Sequence, residues 1–396
     1  MIECGIKKVV LAGMLCLAVE VFAEVQYEVG VFIDEVERLR DLTFNKNTGL
    51  YIPPTNAELS DFYTMAETLL GGDLDTTDAL AGPLGYEVVV FTNTSPTQVL
   101  HGLRERLDLV STNGWGSFFL NTAPEVPNLI EIPHPRFDTY SWDVGGRTFV
   151  NSGAKGLLMA GAHRNANGSG TADVAHLTNT MFHVVHKAWS TAGIEAWQIH
   201  GFDILNHPGF PLGTDAILSN GDGGVSQHIL ELDAALQTNG FLAYAFNELA
   251  TNSVENLQVN EGIDGETFSG LGAKSNDQGK HTRALGETFV HVELERSIRF
   301  DGPNRIVAAT LIADAIRASS ELPPVLSAFN MTSSTSAVVA VESMVPDRDY
   351  GLLETTNLVA EGWSTAQLFS ASSVGTNLVV PVEGTNAARF FRIELH

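Results

Sequence analysis

Cysteine is nearly absent from this chain of 396 residues: there are two, Cys4 and Cys16, both close to the N-terminus. Basic residues are scarce as well, 22 against 47 acids, for a formal charge of −25. A surface so negative repels phosphate backbones and anionic lipid. Nucleic acid and membrane surfaces are therefore excluded as expected partners, while cationic ligands and metal ions remain. No apolar run is long enough to cross a bilayer. The longest, Val9–Val21, follows Lys7 and Lys8 and ends in Val21-Phe22-Ala23, which reads as a secretory signal peptide over 1–23 with cleavage after Ala23. Leu15 precedes Cys16 where a lipoprotein signal takes a small residue. The mature chain is thus expected to be secreted, periplasmic or held at the cell surface. It would carry no cysteine, hence no disulfide and no thiolate chemistry. His, Asp, Glu and Ser are left to do any work.

What is present in quantity is apolar surface. At 44% hydrophobic the chain can bury a sizeable core, which excludes wholesale disorder. A composition break near Glu321-Leu-Pro-Pro324 separates a body from a tail rich in Ser, Thr, Val and Asn. The tail, 325–396, reads as a small all-β module with strands at Ser336–Ser343, Asp349–Glu354, Asn377–Val382 and Arg389–Leu395. Residues 24–84 read as a partly helical lead-in. The body, 85–322, reads as α/β, an open mixed sheet flanked by helices. Its expected strands are Tyr86–Phe91, Ser117–Leu120, Leu129–Pro133, Gly156–Ala162, Ala196–His200, Asp215–Leu218 and Phe289–Leu294. Its expected helices are Pro96–Val110, capped by Ser95, then Asp173–Thr191, Ser226–Gln237 and Asn304–Ser319.

Several of these strands end in polar residues that a core does not need. Leu129-Ile-Glu-Ile-Pro leads into His134, with Asp138 beyond; Gly156–Ala162 leads into His163-Arg164-Asn165, with Asn167 beyond. Trp197-Gln-Ile leads into His200, with Asp203 beyond, and Ala216-Ile-Leu into Ser219. Open α/β sheets bind ligands in the crevice outside the carboxyl ends of their strands, where such residues converge. His134, Asp138 and His200 form a candidate three-ligand zinc site, which leaves a fourth position for water. Such an ion lowers the water's pKa to about 7 and polarises a carbonyl.

Other histidines have a plainer reading. His176, His183 and His186 share one stretch, with His176 and His183, and His183 and His186, spaced to share a helix face; they read as a metal pair or, since no carboxylate nearby in sequence supplies a third ligand, as solvated or buried structural residues. Asp173, at the start of that stretch, reads as a helix cap. In Phe289-Val-His-Val-Glu-Leu-Glu, period two puts His291 and Glu293 on one face of a strand. An acid there needs a partner: either Glu293 is a general base beside activated water, or it is paired with Arg296, Arg299 or Arg164. Arg164 would grip a substrate carboxylate through parallel hydrogen bonds, or join a structural ion pair. Asn165, Asn167 and Ser219 are candidate substrate contacts. Asn276-Asp277-Gln278-Gly279 reads as a substrate-side loop or a turn.

Taken in order, Pro133-His134, His163-Arg164-Asn165, Ile199-His200-Gly201 and Val292-Glu293-Leu294 resemble the zinc hydrolase superfamily of M14 metallocarboxypeptidases, succinylglutamate desuccinylases and N-formylglutamate amidohydrolases. The resemblance covers roughly residues 85–318. It implies an M14-like α/β fold, Zn2+ held by His134, Asp138 and His200, Arg164 as carboxylate clamp and Glu293 as base. Carboxypeptidases place a glutamate three residues after the first histidine; here Phe137 stands there and Asp138 follows. The tail, through Tyr350-Gly-Leu-Leu-Glu-Thr-Thr-Asn-Leu358, Trp363 and Arg389-Phe-Phe-Arg-Ile393, resembles C-terminal sorting or surface-attachment modules of secreted proteins from Verrucomicrobia-like bacteria.

The expectation is a secreted zinc-dependent hydrolase acting on amide or peptide bonds of a carboxylate-bearing small molecule or peptide. The alternatives are a non-catalytic surface binding protein and a metal-dependent esterase or phosphoesterase.

Overall fold

The computed structural model describes residues 25–106, 112–208, 210–246 and 271–319, together with six strand segments of the tail. The expected signal peptide, the Pro-Pro linker and Trp363 lie outside the described residues.

Residues 25–84 contribute β1 (Gln26–Gly30), α1 (Phe32–Leu42), α2 (Asn56–Leu70) and α3 (Leu74–Ala81). The start of α2 is set locally: Thr55 and Glu58 cap one another, each side chain accepting from the other's backbone N–H. Next come β2 (Tyr86–Thr94), β3 (Thr97–Glu105), β4 (Ser117–Asn121), β5 (Val126–Ile132), α4 (Ser141–Ser152), β6 (Ala154–Met159), α5 (Met181–Trp189) and β7 (Glu195–Phe202). They are followed by β8 (Ala216–Ser219), α6 (Gln227–Thr238), β9 (Ala243–Ala245), α7 (Asp277–Ala284), β10 (Phe289–Glu295), α8 (Arg296–Phe300) and α9 (Gly302–Ser319).

The body is α/β. Among the described residues its nine strands, joined by β1, form one mixed sheet in the order β1-β2-β3-β4-β6-β5-β7-β10-β8-β9. The central run β6-β5-β7-β10 is parallel, and β10 meets β8 antiparallel. Helices cover both faces. Against one face α1, α4, α6 and α9 bury Phe32, Trp142, Phe149, Leu232 and Ile312 on Ile130, Trp197, Ile199, Val290 and Val292. On the other, α2 and α5 bury Phe62, Met65, Phe182 and Trp189 on Tyr86, Phe118, Leu129 and Leu158.

That second face changes character along the central strands. Register places Glu131, Gln198, His291 and Ser219 side by side across β5, β7, β10 and β8. The next inward-facing pair, His200 and Glu293, lies one step on. Period-two alternation therefore gives β7 and β10 an apolar face, Trp197-Ile199 and Val290-Val292, backed by a polar one. This polar strip, fully buried, positions the site.

Three sequence expectations are corrected. Of the helix expected over 96–110, Thr97–Glu105 is instead β3, antiparallel to β2 with Thr94 opposite Thr97, and 107–110 lie outside the described residues. Gly102, a poor helix former, lies where a Cβ would strike the Phe119 ring, so tertiary packing and the Thr-Gln-Val start favour a strand. The helix expected over 173–191 starts only at Met181, where the Thr180 hydroxyl caps the His183 N–H at 3.2 Å. Residues 276–279 are the start of α7, with Asn276 accepting from Gly279 N at 2.8 Å. Helix α4 had no sequence signal because Gly145-Gly146 interrupts it. A Cβ at Gly145 would meet Ile132, so the glycine lets the helix lie close on the sheet.

The tail consists of β11 (Val325–Ser333), β12 (Ser336–Glu342), β13 (Asp349–Thr355), β14 (Ser364–Ser370), β15 (Gly375–Pro381) and β16 (Phe390–Leu395). They form two antiparallel three-stranded sheets, ordered β11-β12-β15 and β14-β13-β16.

Candidate metal centre and cleft

His134 follows β5 directly, and the chain then turns so that Asp138 N donates to His134 O at 2.9 Å. One helical turn of spacing brings the two side chains to the same side, which is how an acid four residues on reaches the site. His200 projects from β7 beside them. All three side chains are buried, and their ligand atoms lie within 4.8 Å of one another.

Each histidine is held from behind. His134 Nε2 meets Asp173 Oδ1 at 2.8 Å, and His200 Nε2 meets Gln198 Oε1 at 2.7 Å. The remaining ring nitrogens both face Asp138 Oδ2, His134 Nδ1 at 3.3 Å and His200 Nδ1 at 3.2 Å. His134 Nδ1 has no hydrogen-bond partner. Two imidazole nitrogens and a carboxylate oxygen converging in a buried site suit a cation, and an outer hydrogen bond on each ring is the arrangement metal-ligating histidines use. Without a cation His134 itself carries the compensating charge. Burial alone would lower its pKa, but the carboxylates of Asp138 and Asp173 raise it to about 9. For Asp138, burial opposes ionisation, yet His134 and His200 hold its carboxyl well below the usual range.

Glu293 stands on β10 beside His200. Its Oε2 is buried without a hydrogen-bond partner, and His291 Nε2 lies 3.6 Å from Oε1. Burial first, and the Asp138 charge second, push its pKa well above the ordinary carboxylate value. No described hydrogen bond or ion pair joins it to Arg164, Arg296 or Arg299, so the structural ion pair is not the reason for this acid. His200, His291 and Glu293 form a second group whose ligand atoms lie within the same reach.

Arg164 donates to Asp173 Oδ2 and lies over the Phe137 ring, 5.2 Å from its centroid. The ion pair expected as one alternative is present, but Arg164 also borders a cleft of about 530 Å³, shared with His134, Asp138, His200, Glu293, Arg296 and Phe300. Asp173, expected as a helix cap, caps nothing with its side chain; it bridges His134 and Arg164 instead.

Asn165, Asn167 and Ser219 are not among the residues bordering this cleft. Asn165 Oδ1 accepts from Gly170 N at 2.8 Å, which shapes its own loop. Asn167 brackets Tyr51, accepting from its N–H at 3.1 Å and donating to its carbonyl. Ser219 is buried on β8, opposite His291. Strand-end position alone put these three forward; Asn165 and Asn167 turn away to their own loop and to Tyr51, while Ser219 shares the polar face of the sheet but lies beside His291, off the cleft border.

The cleft floor is tied together by Arg299. It donates to Leu294 O at 2.9 Å, to Phe202 O at 3.0 Å and to Thr139 O, joining the ends of β10 and β7 to the turn that carries Asp138. A Cβ at Gly201 would collide with this guanidinium. Gly201→Ala is therefore expected to cost ~1–3 kcal/mol by overpacking, read as a lower urea midpoint.

Behind the site lies a buried network that sequence reasoning missed. His186 Nδ1 meets Glu131 Oε1 at 2.6 Å, a carboxylate from β5 far away in sequence. His281 of α7 and His183 complete an imidazole cluster, with ring centroids 5.1 and 5.9 Å from His186. His176 stands apart, near Ser275. Burial, with His186 and His281, lowers the pKa of His183 to about 3, and burial with His186 lowers that of His281 to about 4. Folded values below the unfolded 6.5 mean stability that is present above about pH 6.5 and lost as pH falls towards 4. Wild type is expected to lose more of its Tm between pH 7 and 4.5 than His281→Gln does, by roughly 3 °C or more. Equal losses would contradict this.

No family model matches the sequence, and no curated protein matches it. Among solved structures, a gene product of Agrobacterium tumefaciens aligns with TM-score 0.32 and 8% identity over 50% of this chain and 90% of its own. An aspartoacylase family protein of Mesorhizobium loti aligns with TM-score 0.30 and 9% identity over 70% and 88%. A Shewanella denitrificans protein described as a candidate metallopeptidase aligns with TM-score 0.28 and 13% identity over 65% and 89%. At these scores the likenesses carry no functional weight, and what this chain does must be read from the side chains of its own cleft.

Proposed function

We propose that the protein is a secreted, zinc-dependent hydrolase that cleaves an amide or peptide bond in a carboxylate-bearing substrate, an acyl-amino acid or a peptide. The observation that carries this reading is the convergence of His134 Nδ1, Asp138 Oδ2 and His200 Nδ1, with both outer ring nitrogens already held.

A zinc ion held by these residues supplies a Lewis acid that acidifies water and polarises a carbonyl. The remaining chemistry belongs to this chain. Glu293 Oε2, buried and unpartnered, takes a proton from the attacking water, and its raised proton affinity suits it to hold that proton. As the water oxygen bonds to the carbonyl carbon and the C–N bond breaks, Glu293 returns the proton to the leaving nitrogen. Arg164, its orientation fixed by Asp173 and Phe137, binds the substrate carboxylate at the cleft wall. Burial of the site strengthens each of these electrostatic contacts.

Elemental analysis of the exported protein, followed by a hydrolysis screen over acyl-amino acids, peptides and phosphate esters, tests the reading. About one zinc per chain with turnover of a carboxylate-bearing amide is the expected result, and Arg164→Met should then raise KM more than it lowers kcat. A protein that takes up no zinc, or that turns over only phosphate esters, would sink it. Export itself is checked by N-terminal sequencing, with Glu24 expected as the first residue.

A further inference from the structure

We propose that Glu131, Gln198 and Asn276 act as a positioning relay that fixes the proton of His200 on Nε2 and so presents its Nδ1 lone pair to the candidate cation. The proposal rests on reading His134, Asp138 and His200 as a cation site, but its core concerns the hydrogen bonds of His200 alone.

A glutamine amide has no preferred end; its neighbours decide which way it lies. Gln198 is fully buried, so a wrong choice is not rescued by water, and each unsatisfied group there costs about 1–3 kcal/mol. Two independent neighbours make the choice. On one side, Gln198 Nε2 lies 2.9 Å from Glu131 Oε2. A carboxylate only accepts, so the NH2 end must face it. Glu131 is held in turn by His186, and register places it directly opposite Gln198. On the other side, Asn276 caps α7 with its Oδ1, which commits its Nδ2 to donate to Gln198 Oε1. The oxygen end must face this donor. Both constraints give the same orientation, and the same oxygen meets His200 Nε2 at 2.7 Å. His200 Nε2 must therefore carry the hydrogen. Reversing the amide would set oxygen against carboxylate and NH2 against NH2.

The consequence reaches the site by geometry alone. With its hydrogen fixed on Nε2, His200 turns Nδ1 towards Asp138 Oδ2, alongside His134 Nδ1, so Nδ1 is the nitrogen that meets Asp138 while the site is empty and offers its lone pair when a cation binds. The opposite tautomer would leave a bare Nε2 against the Gln198 oxygen, two acceptors with no hydrogen between them. A helix cap on α7 and an imidazole on α5 thus determine which nitrogen of a β7 histidine is a ligand.

Histidine nitrogen shifts of the 15N-labelled, zinc-free protein test this, with the His200 signals assigned by their loss in His200→Asn. Wild type is expected to show a protonated Nε2 without zinc, and a protonated Nε2 with a metal-shifted Nδ1 once zinc is added. Gln198→Met should give a mixture of tautomers and weaken zinc binding roughly tenfold to a hundredfold by chelator competition. The exchange Glu131→Gln with Gln198→Glu keeps an acceptor facing His200, and should restore the Nε2–H tautomer and bring zinc affinity back to within roughly threefold of wild type. A wild-type His200 with a bare Nε2, or an Nε2 as fully protonated in Gln198→Met as in wild type, would overturn the relay. If Gln198→Met does not fold, the wild-type tautomer and the exchange variant still decide. If wild type takes up no zinc, the cation reading fails and the tautomer measurement alone judges the relay.

Discussion

Glu293→Gln is expected to lower kcat by ~10²–10⁴-fold, the usual contribution of a general base, while zinc content and KM stay near wild type. The side chain keeps its shape and loses only the capacity to take a proton. The variant also discriminates between roles through stability. Glu293 Oε2 is buried with no partner, and burial raises its pKa well above the ordinary value. A lone buried carboxyl costs stability, so a neutral amide should leave Tm unchanged or raise it. An acid kept for an ion pair would behave oppositely, because removing one member of a buried pair is strongly destabilising. Intact turnover in Glu293→Gln, or a large fall in Tm, would show that the group is structural.

His134→Ala should abolish stoichiometric zinc and, with it, the protection that zinc gives to the fold. At free zinc a thousandfold above Kd, linkage stabilises the wild type by about 4 kcal/mol, or roughly 10 °C in Tm, and the variant should show no shift. Zinc uptake by wild type should also release about one proton per ion near neutral pH, because the pKa of His134 stands at about 9 without the cation and the ligand must lose its hydrogen. The sign of the linked stability follows. A value raised above the unfolded 6.5 gives the zinc-free protein stability present below about pH 6.5 and lost as pH rises through 9. Calorimetric titration in buffers of different ionisation enthalpy measures the proton count, and a count of zero would mean that His134 is not displaced from its carboxylates.

Much of the frame was legible because strand periodicity is local. In β7 and β10 alternate residues must face opposite sides, so Trp197-Ile199 against Gln198-His200, and Val290-Val292 against His291-Glu293, could be read without coordinates. The same holds for the parallel core with its helical crossovers and for polar residues gathering at the strand ends. Among the helices, α6 and α9 match their sequence expectation to within two residues, whereas α5 starts eight residues later than expected and β3 stands where a helix is expected. In that segment, packing of Phe119 on Gly102 adds to the local strand signal of Thr97-Gln98-Val99.

The site divides along the same line. The sequence by itself determined that His134, His200 and Glu293 sit at or near the ends of central strands, facing inward, and that an acid lies within one turn of His134. Only the tertiary structure decided what meets them. Asp173 comes from a loop beyond β6 to hold His134; Glu131 and Asn276 meet on Gln198; Asn165 and Asn167 turn to their own loop and to Tyr51. The physical reason is that a strand's facing is fixed by the stereochemistry of successive residues. The partner across a sheet or from a loop is fixed by register and chain path, which depend on the packing of the whole body.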